Sequence, residues 1–265
     1  MSIRIIIAGP RGRMGSEAVQ MVNNEEDFNL AACIDRKNDG KMMNEIDGLP
    51  DLEVPFYEDP EACFQNIEAD VLIDLTVPEA GFVNTKLALL YDIRPVVGTS
   101  GFTSDQIEAL RDLSESHGTG CIIAPNFAVG AVLMMRFAKE AAKYLPDVEI
   151  IEKHHDNKLD APSGTAVKTA EMIKDTRQSK QQGHPDEHET LEGARGANTD
   201  GIHIHSVRLP GLVAHQEILF GGSGQTLTIK HDSYNRQSFM AGVKLAVNKV
   251  MNLNELVYGL DNILD

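Results

Sequence analysis

Along the chain the apolar residues fall into short blocks. IRIIIA at residues 3–8, FNLAACID at 28–35, DVLIDLT at 70–76, RPVVGTS at 94–100 and GCIIAP at 120–125 are nearly continuous and too short for helices, so they predict buried strands. Stretches of helical period separate most of them, the first running through Met14, Ala18 and Val22 after the turn GPRGRMG. Strands and helices alternating at this spacing predict a parallel, doubly wound α/β sheet.

The pattern changes after residue 126. VGAVLMMRFAKEAAKYL predicts a long helix with Val132, Met135 and Ala138 on its apolar side; a strand VEIIEKHH and a helix over about 163–175 follow. Residues 176–201 carry no apolar periodicity and predict a long loop. IHIHSVRL, VAHQEILF and QTLTIKHD then read as three strands joined by Pro-Gly and Gly-Gly-Ser-Gly turns, which predicts an antiparallel or mixed sheet. A last helix over 236–251 presents Phe239, Val243, Ala246, Val247 and Val250 in one stripe that can pack back on the first domain. The expected division is therefore 1–126 with 236–265 as one domain and 127–235 as another.

Composition narrows the class. A chain of 265 residues with 42% hydrophobic content and no tryptophan fits an aliphatic α/β protein of one large or two modest domains. The formal charge of -16 repels phosphate backbones and anionic leaflets, so neither nucleic acid nor membrane is an expected partner. Cys33, Cys63 and Cys121 are odd in number, far apart and set among apolar residues, which predicts reduced core thiols and a cytoplasmic location. The apolar run in MSIRIIIAGP is too short for a signal sequence or a membrane span.

Candidate chemistry begins at the first turn. Gly9, Gly12 and Gly15 follow a strand and open a helix, the arrangement that seats a pyrophosphate on backbone N–H groups. Arg11 holds the middle position of the commoner GxGxxG pattern. Asp35, at the end of the second strand and 20 residues beyond Gly15, stands where a carboxylate accepts hydrogen bonds from an adenosine ribose. Arg36 and Lys37 follow it directly and offer charge to a 2'-phosphate, so NAD and NADP both remain open. Thr76 and Thr99 lie at the carboxyl edge of the sheet, where helix capping and ligand contact fit equally well.

The densest chemistry is EKHHDNKLDAPSGTA at 152–166. Ser163, Gly164 and Thr165 open a helix whose unpaired N–H groups and dipole attract a carboxylate or phosphate, or whose serine serves only as a cap. His154, His155 and Lys158 add titratable and cationic groups within one loop. No metal site is expected: His154, His155 and Asp156 crowd too closely to give three ligands, and no HExxH pattern occurs. His203 and His205 read as the polar face of a strand, and the lack of a GxSxG elbow argues against a serine hydrolase.

Together these stretches resemble the bacterial 4-hydroxy-tetrahydrodipicolinate reductases, also called dihydrodipicolinate reductases, of lysine and diaminopimelate biosynthesis. The resemblance covers essentially the whole chain and rests on GPRGRMG at 9–15, DLTVPE at 74–79, VVGTSGF at 96–102, APNFAVG at 124–130 and, above all, EKHHDNKLDAPSGTA. It implies a Rossmann-like sheet with a second α+β domain for substrate and oligomerisation, a homotetramer, and hydride transfer from NADH or NADPH to an unsaturated dicarboxylate ring. It implies His154 as proton donor, Lys158 as second donor and charge stabiliser, and His155, Ser163, Gly164 and Thr165 as the grip on the dicarboxylate. On the cofactor side it implies Gly9, Pro10, Arg11, Gly12, Arg13, Met14 and Gly15 with Asp35, Arg36 and Thr76. Gly98, Thr99 and Ser100 with Ala124, Pro125, Asn126 and Phe127 resemble the loops along the nicotinamide. The chain departs from the family pattern at Arg11, often a small residue, and at Val77, where some relatives carry arginine. A different Rossmann-type dehydrogenase or a nicotinamide-sensing regulator would share the first half but has no evident need of the HHDNK and PSGT pair.

Overall fold

The run IRIIIA forms β1 (Ile3–Ala8), whose Ile5, Ile6, Ile7 and Ala8 are all fully buried, as a strand covered on both faces must be. The computed structural model describes residues 2–178 and 180–264. The chain divides into two compact units, Met1–Val129 with Phe239–Asp265, and Gly130–Ser238.

In the first unit β1 leads through α1 (Arg13–Asn24) to β2 (Phe28–Ile34), then through β3 (Phe56–Tyr57) and α2 (Pro60–Asn66) to β4 (Val71–Asp74). α3 (Pro78–Leu90), β5 (Arg94–Val97), α4 (Ser104–His117) and β6 (Cys121–Ile123) continue the alternation, and α7 (Met240–Val250) with β12 (Leu256–Tyr258) returns to the same sheet. Its seven strands run in the order β12-β6-β5-β4-β1-β2-β3, with every pair parallel. Cys63 and Phe64 of α2 and Ala88 of α3 pack with Ile6, Ala8, Ala32, Ile34 and Leu72 in one apolar cluster. Along α7, Val243, Ala246, Val247 and Val250 are buried, while Phe239 belongs to the 3-10 turn that precedes the helix. β3 and β12, of two and three residues, leave no periodic signal and escape a sequence reading.

The second unit holds α5 (Val129–Ala141, starting at the unit boundary), β7 (Asp147–His154), α6 (Gly164–Lys174), β8 (Ala197–Thr199), β9 (Ile202–Arg208), β10 (Ala214–Gly222) and β11 (Gln225–Ser233). The sheet order is β11-β10-β7-β9-β8, with β7 parallel to β9 and antiparallel to β10. The sheet is thus mixed, but β9 and β10, consecutive in sequence, are not neighbours: β7 lies between them. β8 also falls inside the stretch expected to be a loop, pairing antiparallel with β9. One face of this sheet, through Val148, Ile150, Ile202, Ile204, Ile218 and Phe220, packs on Met134 and Ala138 of α5 and Ala166, Ala170 and Ile173 of α6.

The first turn of the first unit is unusually tight. Gly9 has φ +80°, and a Cβ built on Gly15 would stand 1.9 Å from the Gly9 carbonyl oxygen and 2.7 Å from its carbon. Because both obstructing atoms are backbone, no rotamer change relieves them. Gly15→Ala should therefore destabilise the chain by about 1–3 kcal/mol. A thermal denaturation midpoint equal to that of the unsubstituted protein would show that the turn is looser than its geometry implies.

Candidate active site

At the carboxyl edge of the parallel sheet lies a cleft of about 780 Å³ in the first unit, walled by Gly9, Arg11, Gly12, Ile34, Asp35, Arg36, Glu58, Pro60, Leu75, Thr76, Val77, Glu79, Ala80, Val83 and Asn84. α1 begins beside it, with Gly12 as an N-cap that supplies no side-chain acceptor, so the first-turn N–H groups have no capping oxygen. Gly9, Arg11, Gly12, Asp35, Arg36 and Thr76 are all among the residues that line this cleft. Pro10 and Gly15 are buried behind the turn, Met14 is half-buried, and Arg13 is exposed on the first turn of α1.

Asp35 is already engaged. Its carboxylate accepts from Arg11 Nε (3.0 Å) and Nη2 (2.6 Å) and from the Lys37 backbone N–H (2.9 Å). Arg11, the residue that departs from the commoner glycine pattern, is therefore the partner of the acid expected to meet a ribose. Sequence reading placed both residues without pairing them, because the contact needs β1 and β2 side by side.

Asp74, at the end of β4, was not singled out from the sequence. It is fully buried, and among the described residues its hydrogen-bond partners are all uncharged: Oδ1 accepts from the Thr76 N–H (3.0 Å), Thr76 Oγ1 (2.7 Å) and Thr99 Oγ1 (3.0 Å), and Oδ2 from Asn84 Nδ2 (2.8 Å). Thr76 and Thr99 do not cap helices: α3 is capped at Val77 without a side-chain bond, and α4 by Thr103. Beyond β5, a Cβ on Gly98 would come within 2.6 Å of Leu75 Cδ2 and 2.9 Å of Phe127 Cε2, so a larger residue at this strand end would require those two side chains to move. Ser100 is exposed, Ala124 and Phe127 are buried, Pro125 is exposed, and Asn126 Oδ1 accepts from the Ala128 N–H (2.9 Å). These residues lie at the ends of β5 and β6, outside the walls of the cleft. The tight turn at Gly9–Gly15, the start of α1 without a side-chain cap and the acid just after β2 fit a dinucleotide.

In the second unit the stretch EKHHDNKLDAPSGTA joins the end of β7 to the start of α6. Val148, Ile150, Glu152 and His154 share the helix-covered face of β7 by strand alternation, and Glu152 is fully buried there. Its Oε2 lies 2.6 Å from His154 Nδ1; Arg208, on the neighbouring strand, donates from Nη1 to Oε2 (2.8 Å) and from Nη2 to Oε1 (2.7 Å); the Ser163 N–H donates to Oε1 (3.1 Å). Burial pushes the Glu152 carboxyl up, but the hydrogen bonds from Arg208, Ser206 and His154 outweigh it and hold the group down at about 2. An ionised carboxylate only accepts, so Nδ1 of a neutral His154 carries the hydrogen and Nε2 is the nitrogen left for chemistry. Burial lowers the His154 pKa below the ordinary histidine value; the Glu152 carboxylate opposes this, and the Lys158 and Arg208 charges reinforce it.

Lys158 Nζ donates to Asp160 Oδ1 (2.7 Å), and Arg208 Nη2 also donates to the Asp160 carbonyl (2.8 Å), tying the loop that carries Lys158 to β9. Ser163 is the N-cap of α6, its Oγ accepting from the Ala166 N–H (3.2 Å), so the capping role holds. Gly164 and Thr165 form the first turn, where N–H groups have no intrahelical acceptor. His155 is exposed. His203 and His205 are half-buried and engaged: His203 Nδ1 with the Arg195 carbonyl (2.7 Å), His205 Nε2 with Glu149 Oε2 (2.8 Å). In this unit Glu152 and Arg208 are the residues that sequence reading missed, as Asp74 is in the first. The available signal was phase: Glu152 falls in step with Val148 and Ile150, and a charge on a strand's buried face needs a partner.

A doubly wound parallel sheet with a glycine turn and a cleft at its carboxyl edge, joined to a mixed-sheet unit in which His154 and Arg208 meet a buried Glu152, defines the class: a Rossmann-like oxidoreductase that uses a nicotinamide dinucleotide. Residues 3–127 match the family model for the dihydrodipicolinate reductase N-terminus, and residues 130–264 that for its C-terminus. The chain is 63% identical over its full length to the 4-hydroxy-tetrahydrodipicolinate reductase of Oceanobacillus iheyensis and 65% identical to that of Geobacillus kaustophilus, covering 100% of both. A dipicolinate-bound dihydrodipicolinate reductase from Paenisporosarcina sp. TG-14 superposes with a TM-score of 0.92 at 58% identity, each chain covered completely. The chain belongs to the dihydrodipicolinate reductase family.

Proposed function

We propose that this protein reduces 4-hydroxy-tetrahydrodipicolinate to tetrahydrodipicolinate with NADH or NADPH, the 4-hydroxyl leaving as water to give the unsaturated ring that takes the hydride and a proton, a step of lysine and diaminopimelate biosynthesis in the cytoplasm. The observation that carries the reading is the convergence, within 152–165, of a proton-carrying imidazole fixed on a buried carboxylate, a lysine, and an open helix N-terminus. When bound, the reduced nicotinamide supplies the hydride. Gly9, Gly12 and the start of α1 hold its pyrophosphate, Asp35, Arg11 and Arg36 its adenosine ribose, and Gly98–Ser100 with Ala124–Phe127 border the nicotinamide.

The chain's own groups do the remainder. Gly164 and Thr165 N–H groups, with the α6 dipole, bind one carboxylate of the substrate, assisted by Ser163 and His155. His154 gives a proton from Nε2 to the ring as negative charge develops, and Lys158 stabilises that charge or donates in turn. The dipicolinate in the Paenisporosarcina relative, a planar dicarboxylate, supports a substrate of this shape.

The Arg11–Asp35 pair supports use of both cofactors. Asp35 accepts from a 2'-hydroxyl once Arg11 turns aside, and Arg11 with Arg36 receives a 2'-phosphate in its place. Assembly as a homotetramer through the second unit is supported by its sheet: β11 is an edge strand whose residues 225–228 are exposed, Leu227 among them, and Ile151, Val207 and Leu219 are only half-buried. The free, buried thiols of Cys33, Cys63 and Cys121 suit a reducing compartment.

Three expectations follow from this chemistry. His154→Gln and Lys158→Ala should each lower kcat by roughly 100- to 10,000-fold, the range of a proton donor, while Thr165→Ala chiefly raises the KM for substrate. Near-normal kcat for His154→Gln across pH 6 to 9, in an assay following NADH absorbance, would refute the mechanism. Asp35→Ala should raise the KM for NADH more than for NADPH and Arg11→Ala the reverse; equal effects on both cofactors would refute the assignment. Light scattering at micromolar concentration should give four times the chain mass, and a monomer would count against the assembly.

A further inference from the structure

Glu152 joins groups that serve two different tasks. Its Oε2 meets His154 Nδ1 at 2.6 Å, and its Oε1 accepts from the Ser163 N–H at 3.1 Å, at the start of the helix whose first turn is open to an anion. Arg208 grips both oxygens in a two-pronged contact, and through Nη2 also holds the Asp160 carbonyl two residues after Lys158. In the parallel ladder Glu152 stands opposite Ser206 and His154 opposite Arg208, so the guanidinium reaches diagonally across to the carboxylate.

We propose that Glu152 is a positioning residue with two charges of duty: it fixes the tautomer and ring orientation of His154, and it fixes the N-terminus of α6, with Arg208 as the counter-ion that lets the carboxylate stay buried. The inference rests on the reading of His154 as proton donor and deepens it. Proton donor and carboxylate grip then share one anchor, and a shift at one is felt at the other. Glu152 takes no proton in the cycle. The transferred proton leaves Nε2, the Nδ1–H bond persists, and the carboxylate remains ionised, as its depressed pKa of about 2 allows.

The charged surroundings of His154 give the idea a pH signature. Glu152 on its own strand raises the affinity of the imidazole for its proton, whereas burial, Lys158 on the following loop and Arg208 on β9 lower it. β10 places the uncharged Ala214 opposite His154, and the first turn of α6 contains no acidic residue. Removing the Glu152 charge leaves only the lowering influences, so the protonated fraction of His154 at a given pH falls.

The test uses the full chain with 15N-labelled histidine and follows the His154 ring nitrogens by NMR through a pH titration, beside kcat and KM. In the unsubstituted protein the neutral ring should carry its hydrogen on Nδ1. Glu152→Gln should move the His154 titration to lower pH, shift the alkaline limb of kcat the same way, lower kcat about 10- to 100-fold as for groups that orient a working imidazole, and raise the KM for the dicarboxylate. Arg208→Lys, which keeps the charge but loses the fork, should give smaller effects in the same properties. Glu152→Asp withdraws the carboxylate by one methylene, should act in the same direction, and decides the matter if the glutamine variant does not fold. A His154 titration and tautomer unchanged in these variants, or kcat within twofold of normal, overturns the proposal. If the unsubstituted protein failed to turn over substrate while Glu152→Gln still moved the histidine titration, the catalytic reading would fall and the positioning role would stand.

Discussion

A carboxylate that solvent cannot reach must find its neutralisation within the fold, and Glu152 sets that demand on the second unit. Its partners come from three places: Arg208 from β9, His154 from two residues further along β7, and Ser163 from the start of α6. Meeting them requires β9 to lie parallel beside β7 and the loop 155–162 to fold back over the strand end. Removing one partner of such a cluster leaves a buried charge uncompensated, at a cost of about 3–5 kcal/mol. The electrostatic requirement and the apolar packing of Val148 and Ile150 therefore favour the same sheet order.

The first unit solves the same problem with neutral donors. Asp74 is as inaccessible as Glu152, yet its oxygens are met by the hydroxyls of Thr76 and Thr99, the Thr76 N–H and the Asn84 amide. These donors come from the ends of β4 and β5 and from α3, so one side chain ties together the loops at the carboxyl edge of the sheet. A cation at this point would add positive charge beside the cleft, whereas hydroxyls satisfy the carboxylate and leave the field there to the arginines and the start of α1.

Arg11 and Asp35 are held less firmly. The Arg11 side chain is 38% exposed, so its ion pair is partly screened and its replacement by another anion or hydrogen-bond donor costs little. In Glu152–Arg208 both side chains are largely enclosed, at 0% and 19% exposure, and the pair maintains geometry; in Arg11–Asp35 the carboxylate is buried but the guanidinium is exposed enough to swing away and exchange partners. The proposed roles of the two pairs, one positioning and one discriminating between cofactors, follow that difference in exposure.

Much of this protein was readable along the chain. Period alone separates β1, β2, β4, β5 and β6 from the helices between them, because burial on both faces demands unbroken apolar runs, and GPRGRMG and EKHHDNKLDAPSGTA mark the chemistry because they gather unusual residue types within one or two turns of chain. What the sequence could not reveal is long-range partnership. Arg208 lies 56 residues from Glu152 and Arg11 lies 24 from Asp35, and each pair exists only because particular strands are neighbours. The insertion of β7 between β9 and β10, the strand pairing of β8 within an apparent loop, and the hydroxyl shell of Asp74 were decided in the same way. Local periodicity reports which face of an element is buried; which charge meets which across a sheet depends on strand order, and that is settled only when the whole core closes.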